Sequence, residues 1–189
     1  MTDVSAKQKI KNALVSLMIY KPLESITITD ITKEAKVNKS TYYYHYYKKE
    51  EILYEITNKC ISDLIMAMKS PYKGTHELKI NENILPSTVN LFEHVYQQKD
   101  YYFVLLNYEK GLAFQNELLN VIINFFINET NPIYTENINN DINPIFQAYG
   151  IFGIITAWIN DDCKQPPKLV AKQLTNILFY ILEKVQINY

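Results

Sequence analysis

The chain has 189 residues, 48% of them hydrophobic, and a formal net charge of −1, enough length and apolar content to close a core without staples. Its 2 cysteines, Cys60 and Cys163, lie too far apart for a disulfide framework or a zinc site, which points to a reducing compartment. The opening residues are polar and charged, and the longest apolar runs, residues 101–106 and 121–127, fall well short of the ~20 residues that span a bilayer. A cytoplasmic protein with no membrane partner is expected.

Gly is scarce at 4 and the 7 Pro read as punctuation, as an all-α chain would have them. Apolar residues at helical spacing (Ala6, Ile10, Leu14, Leu17, Met18) predict a first helix over residues 3–20, broken at Lys21-Pro22. Thr27 and Asp30 form a capping box that opens a short second helix over residues 28–35. Asn38 caps a third, and a fourth runs from about Lys48 to Lys69. Residues 70–74 end it, and the stretch to Leu85 carries no clear pattern.

Pro86 suits the first position of a helix over residues 89–96. Asp100 is expected to cap the next helix, and Gly111 to close it or bend it into another over residues 112–128. An Asn-rich loop over residues 129–143 precedes two final helices, over residues 145–160 and 168–186. The chain divides into residues 1–60 and 61–189. The first part carries 10 Lys against 7 acidic residues and the second 9 Lys against 13, so a mildly basic head sits on an acidic body. All 19 basic residues are Lys.

Residues 27–53 read Thr-Ile-Thr-Asp-Ile-Thr-Lys-Glu-Ala-Lys-Val-Asn-Lys-Ser-Thr-Tyr-Tyr-Tyr-His-Tyr-Tyr-Lys-Lys-Glu-Glu-Ile-Leu. Ile28, Ile31 and Ala35 share one helical face, and Tyr42 and Tyr46, one turn apart, can anchor the third helix inward. At about 100° per residue, Lys39, Ser40, Tyr43 and Tyr44 fall within an arc of roughly 140°. This segment resembles the DNA-binding signature of the TetR family of regulators, and the match extends back over Ile10–Met18. The resemblance implies a three-helix helix-turn-helix domain, joined by a connecting helix to a helical dimerisation and effector domain.

The same resemblance implies site residues. Lys39 and Ser40 would face base edges, and Tyr44 would offer its ring to thymine methyls or its hydroxyl to a base. Thr41, Tyr43, His45, Lys49 and Thr27 would hold phosphates. His45 has the alternative of a capping or core role. The turn position that the family usually gives to Gly is Lys36 here, which strains the backbone if the left-handed conformation is kept. Without Arg, any guanine contact falls to Lys39.

Residues 148–159 with Pro166, Leu169, Val170, Ala171 and Leu174 resemble the last two helices of a branch that includes dihydroxyacetone-kinase operon regulators. Ile151, Ile154, Ile155 and Trp158, with Leu174, Leu178 and Ile181, form apolar stripes expected to pair across a homodimer interface; an ordinary intrachain core is the alternative. By the resemblance, an effector pocket lies among the middle helices, with Tyr102, Phe103, Tyr108 and Phe114 as its expected lining for an unknown small molecule. No cofactor or metal is expected, and the adjacent Asp161 and Asp162 read as a solvated loop. No nucleophile–base pair or phosphate loop suggests an enzyme. The expected function is sequence-specific binding of operator DNA, as a repressor tuned by an effector. The alternative is a helical adaptor that binds protein, which leaves the segment over residues 27–53 unexplained.

Overall fold

The computed structural model describes residues 5–72, 86–128 and 142–183, with the side chains of the last segment described to residue 178. Among the described residues every regular element is helical. The head comprises α1 (Ala6–Met18), α2 (Ile28–Ala35) and α3 (Lys39–His45), followed by the connecting helix α4 (Lys49–Lys69). The body adds α5 (Pro86–Gln97), α6 (Lys99–Asn107), α7 (Leu112–Asn128), α8 (Ile142–Asn160) and α9 (Pro167–Glu183).

The helix ends follow from local chemistry. Ser5 caps α1 by accepting from the Gln8 amide. At α2, Thr27 Oγ1 accepts from the Asp30 amide while the Asp30 carboxylate accepts from the Thr27 amide. Lys36 ends α2 at φ 54°, ψ 44°. The Val37 amide donates to the Thr32 carbonyl at 3.0 Å and the Lys36 amide to the Lys33 carbonyl at 3.2 Å, a Schellman close. Asn38 Oδ1 then caps α3 by accepting from the Thr41 amide at 2.7 Å.

Several expected ends differ by up to three residues, those of α6 and α8 among them. Gln98, and not Asp100, precedes α6, so Asp100 lies in its first turn. Helix α8 begins at Ile142, three residues earlier than expected, and carries Pro144 in its first turn, where an amide would have no intrahelical partner. The patternless stretch over residues 73–85, the Asn-rich loop to residue 141 and the expected extension of α9 to residue 186 lie outside the described residues.

Packing joins head and body. Helix α1 packs on α2, α3, α4 and α6; α4 packs on α5, α6 and α7; α5 pairs with α9, and α7 with α8. One continuous apolar cluster runs from Ile10 and Leu14 through Ile52, Ile56 and Leu64 to Phe92, Tyr102, Ile155 and Leu174. Residue 60 lies in the middle of α4, which crosses the expected boundary unbroken and belongs to both parts. Between α5 and α9 the buried hydroxyls of Thr88 and Thr175 meet at 3.2 Å, and Thr175 also donates to the Ala171 carbonyl. Gly111 is required by close approach, because a Cβ there would lie 2.5 Å from the Leu105 carbonyl oxygen. By length and composition α8 could cross a membrane, which the short apolar runs of the sequence had not suggested. One third of its apolar window is buried inside the subunit.

Candidate nucleic-acid interface

Helix α3 has two sharply different sides. Tyr42 and Tyr46 point inward, at 0% and 3% exposure, and their rings lie 6.3 Å apart. Lys39, Ser40, Tyr43 and Tyr44 are exposed, Tyr44 at 84%, so the expected polar and aromatic arc is the solvent face of this helix. Burial pushes the Tyr42 hydroxyl up to about 12, so it stays protonated in the core. His45 is half-buried, with its ring edge-on to Tyr44 at 5.0 Å.

The hydroxyls near this face are already engaged. Ser40 Oγ and Thr41 Oγ1 both donate to Asn38 Oδ1 at 2.7 Å. The Thr27 hydroxyl donates to Asp30 Oδ2 at 2.9 Å, so both of its donors serve the cap. Lys49 corrects the expectation most clearly. Its ammonium donates to the carbonyls of Leu23, Glu24 and Ile26 at 2.6, 3.2 and 2.7 Å. It clamps the segment between α1 and α2 against the start of α4, and is committed there instead of to a phosphate. Lys48 beside it is exposed, a position the sequence reading passed over.

A charged knot fixes the head on α4. Glu55 accepts from Lys11 at 2.7 Å, from Lys7 at 2.9 Å and from the Tyr46 hydroxyl at 2.9 Å. Burial alone would raise the Glu55 carboxyl, but Lys11, Lys7 and the Tyr46 hydroxyl outweigh it and hold it at about 2. The end of α3, α1 and α4 thus share one anion. Tyr101 on α6 makes a second tie, accepting from Gln8 and donating to Asn12, both at 2.6 Å.

The four aromatics expected to line one effector pocket separate into two places. Tyr102 and Phe114 are buried in the body, edge to face at 5.7 Å. Phe103 and Tyr108 line a cleft of about 350 Å³ between α6 and the end of α1, with Met18, Ile19 and Leu23 opposite and the Glu24–Lys110 ion pair nearby. Adjacent residues such as Tyr102 and Phe103 diverge by about 100° on a helix, so they cannot share one lining. The Tyr102 hydroxyl and His94 Nε2 are buried without hydrogen-bond partners, and burial lowers the His94 imidazole below its ordinary range.

The expected interface residues also need correction. Ile151, Ile155, Trp158, Leu174 and Leu178 are at most 7% exposed within one subunit, so they have almost no surface to offer a partner. Trp158 packs against Phe92 at 5.4 Å and donates to the Gln165 carbonyl at 3.0 Å. Ile154 is half-buried, and the side chain of Ile181 lies outside the described residues. The outward face of α8 carries Ile142, Ile145, Phe146 and Tyr149, 45–64% exposed, beside Gly150 and Gly153, whose Cβ positions meet nothing within 4 Å. On α9, Leu169 and Ile177 are exposed at 43% and 50%.

Residues 82–180 match a TetR-type family profile described as "Transcriptional regulator C-terminal region". The chain belongs to the TetR family of transcriptional regulators. It is 23% identical over 181 residues to the "Uncharacterized HTH-type transcriptional regulator YxbF" of Bacillus subtilis (strain 168). That alignment covers 92% of this chain but 45% of the relative, so the chain spans about half of its length. Solved TetR-like folds include a putative TetR-family regulator from Syntrophomonas wolfei, with TM-score 0.70, 15% identity and 97% and 98% of the two chains covered. The dihydroxyacetone kinase operon activator DhaS has TM-score 0.63 at 16% identity, covering 96% and 98%. NalD of Pseudomonas aeruginosa, the secondary repressor of the MexAB-OprM efflux pump, has TM-score 0.60 at 17% identity, covering 93% and 96%. All share the all-α TetR fold, and the family is one of regulators rather than enzymes.

Proposed function

We propose that this TetR-family protein binds operator DNA as a homodimer and represses transcription, with a small-molecule effector tuning its hold. The observation that carries the reading is the exposed face of α3, where Lys39, Ser40, Tyr43 and Tyr44 project from a helix anchored by Tyr42 and Tyr46. A helix of 7 residues is about 10 Å long and fits a major groove about 12 Å wide. Lys39 and Ser40 face base edges at its leading end. Tyr43, His45 and the exposed Lys48 flank them toward the phosphates, while the Thr41 hydroxyl stays committed to Asn38.

A second copy supplies the second half-site. The uncharged outward face of α8, flattened at Gly150 and Gly153, supports pairing there with α9. Repression is the simplest mode, because a dimer seated on its operator blocks by occupancy and needs no contact with polymerase. The unpartnered Tyr102 hydroxyl and His94 Nε2 mark where an effector with a hydrogen-bonding group would gain most, since each such buried atom costs about 1–3 kcal/mol.

The test is retention of duplex DNA by the full chain across a salt series. Phosphate contacts release counterions, so the affinity should fall linearly on logarithmic axes with a slope of about −0.9 per phosphate neutralised. Absence of retention at low salt, from random-sequence and genomic duplexes alike, would sink the DNA-binding reading.

A further inference from the structure

We propose that the cleft between α6 and the end of α1 binds a small organic cation, an ammonium group carried on a flat apolar body. The site lies at the seam of head and body, apart from the face of α3 and from the buried Tyr102 and His94. It rests on neither the DNA-binding nor the effector reading.

The attraction for a cation starts with how α1 ends. The amides of Tyr20 and Lys21 both turn to the Leu17 carbonyl, at 3.1 and 3.0 Å, and Pro22 has no amide to give. Among the described residues the carbonyls of Met18 and Ile19 therefore accept no backbone hydrogen bond. The last turn of α1 carries no basic residue either. A helix C-terminus left in this way holds about half a negative charge, and here it stands in one wall of the cleft.

Carboxylates add to it. Glu24 and Glu109 belong to the lining. Lys110 pairs with Glu24 at 3.5 Å, whereas Glu109 forms no ion pair among the described residues. Burial is the main cause that raises the Tyr108 hydroxyl, but Glu24, Glu50 and Glu109 raise it further against Lys110 alone. Lys21, the cationic member of the lining, also lies close enough to Asp30 to help the Thr27 hydrogen bonds lower that carboxyl.

The apolar part of the ligand has its own partners. Phe103 and Tyr108 are half-buried in the lining, and an aromatic face attracts both a flat body and a nearby cation. The volume, about 350 Å³, is that of a small-molecule site. The wall is also stiff, because Lys49 holds the carbonyls of Leu23, Glu24 and Ile26, so little freedom is lost when a ligand settles.

Three indoles with the same body and different charge test this: tryptamine, tryptophol and indole-3-propionate, titrated calorimetrically into the full chain. Tryptamine should bind about fivefold more tightly than tryptophol, the sum of a helix terminus and a surface carboxylate, and indole-3-propionate should bind more weakly than both. Glu109→Gln, at an exposed position, should narrow the gap between tryptamine and tryptophol to about twofold and leave tryptophol itself unchanged. Phe103→Ala, checked for an unchanged far-ultraviolet spectrum, should weaken both. The proposal is overturned if tryptamine gives no binding at millimolar concentration, if the three ligands bind alike, if the anion is preferred, or if Glu109→Gln leaves the gap intact.

Discussion

Lys36→Gly should make this protein more stable, although the substitution deletes an entire side chain. Lys36 holds φ 54°, a left-handed conformation in which an L-residue's Cβ crowds the following carbonyl, at about 1–2 kcal/mol. Glycine removes that crowding but gives the unfolded chain more freedom, which returns about 0.4–1 kcal/mol. The difference leaves a net gain of roughly 0.5–1 kcal/mol. For a chain of this length that raises the melting temperature by about 2 °C, read from the helical circular dichroism signal at one fixed protein concentration. Lys36→Ala is the control: it shortens the side chain, keeps the Cβ and should leave the melting temperature within about 1 °C of the parent. If Lys36→Gly melts at or below Lys36→Ala, the left-handed turn carries no strain and the reasoning fails.

Glu55 should make stability fall in acid. Its folded carboxyl lies near 2, below the ordinary value, so its contribution is complete above about pH 4.5 and disappears as pH falls toward 2; Glu55→Gln should flatten that part of the curve. The carboxylate is about one-third exposed, so solvent screening makes the effect smaller than the shift alone implies. Lys49→Met should lower stability by about 1.5–3 kcal/mol through three carbonyls that lose a charged donor, yet leave the salt slope of DNA binding unchanged. Lys48→Ala should do the reverse, reducing the slope by about one unit; a reduced slope in the Lys49 variant would return that residue to the phosphates. Tyr149→Glu should yield folded monomers in light scattering while Ile155→Glu unfolds the body, and a Tyr149→Glu dimer of unchanged mass would move the interface off α8.

The head was legible because its signals are local. Thr27, Asp30 and Asn38 cap within three residues, Tyr42 and Tyr46 share a face, and the left-handed turn at Lys36 follows from two adjoining helix ends. What the sequence hid were contacts between distant segments. The commitment of Lys49 to Leu23 and Ile26 needs the start of α4 folded back on the connection after α1, and no periodicity reports that. For α8 the stripe was found but assigned to the wrong partner. Nearly every position of that helix is apolar, so the pattern cannot say which side meets the core. Phe92 and Tyr96, from another helix, take the Trp158 side. The four aromatics of the middle helices failed as one lining for a related reason: apolar character says that a residue is buried, and not in which compartment.

The Thr88–Thr175 contact bears on how a signal can travel. A seam made only of apolar side chains lets two helices creep past each other by fractions of an ångström, since one methyl contact replaces another. A hydroxyl pair does not allow this, because a slide of about one residue rise, ~1.5 Å, pulls it beyond hydrogen-bonding distance inside a dry seam. Helices α5 and α9 are therefore indexed like meshed gear teeth. A displacement of α5 that keeps this bond carries α9 and its exposed Leu169 and Ile177 along in the same register.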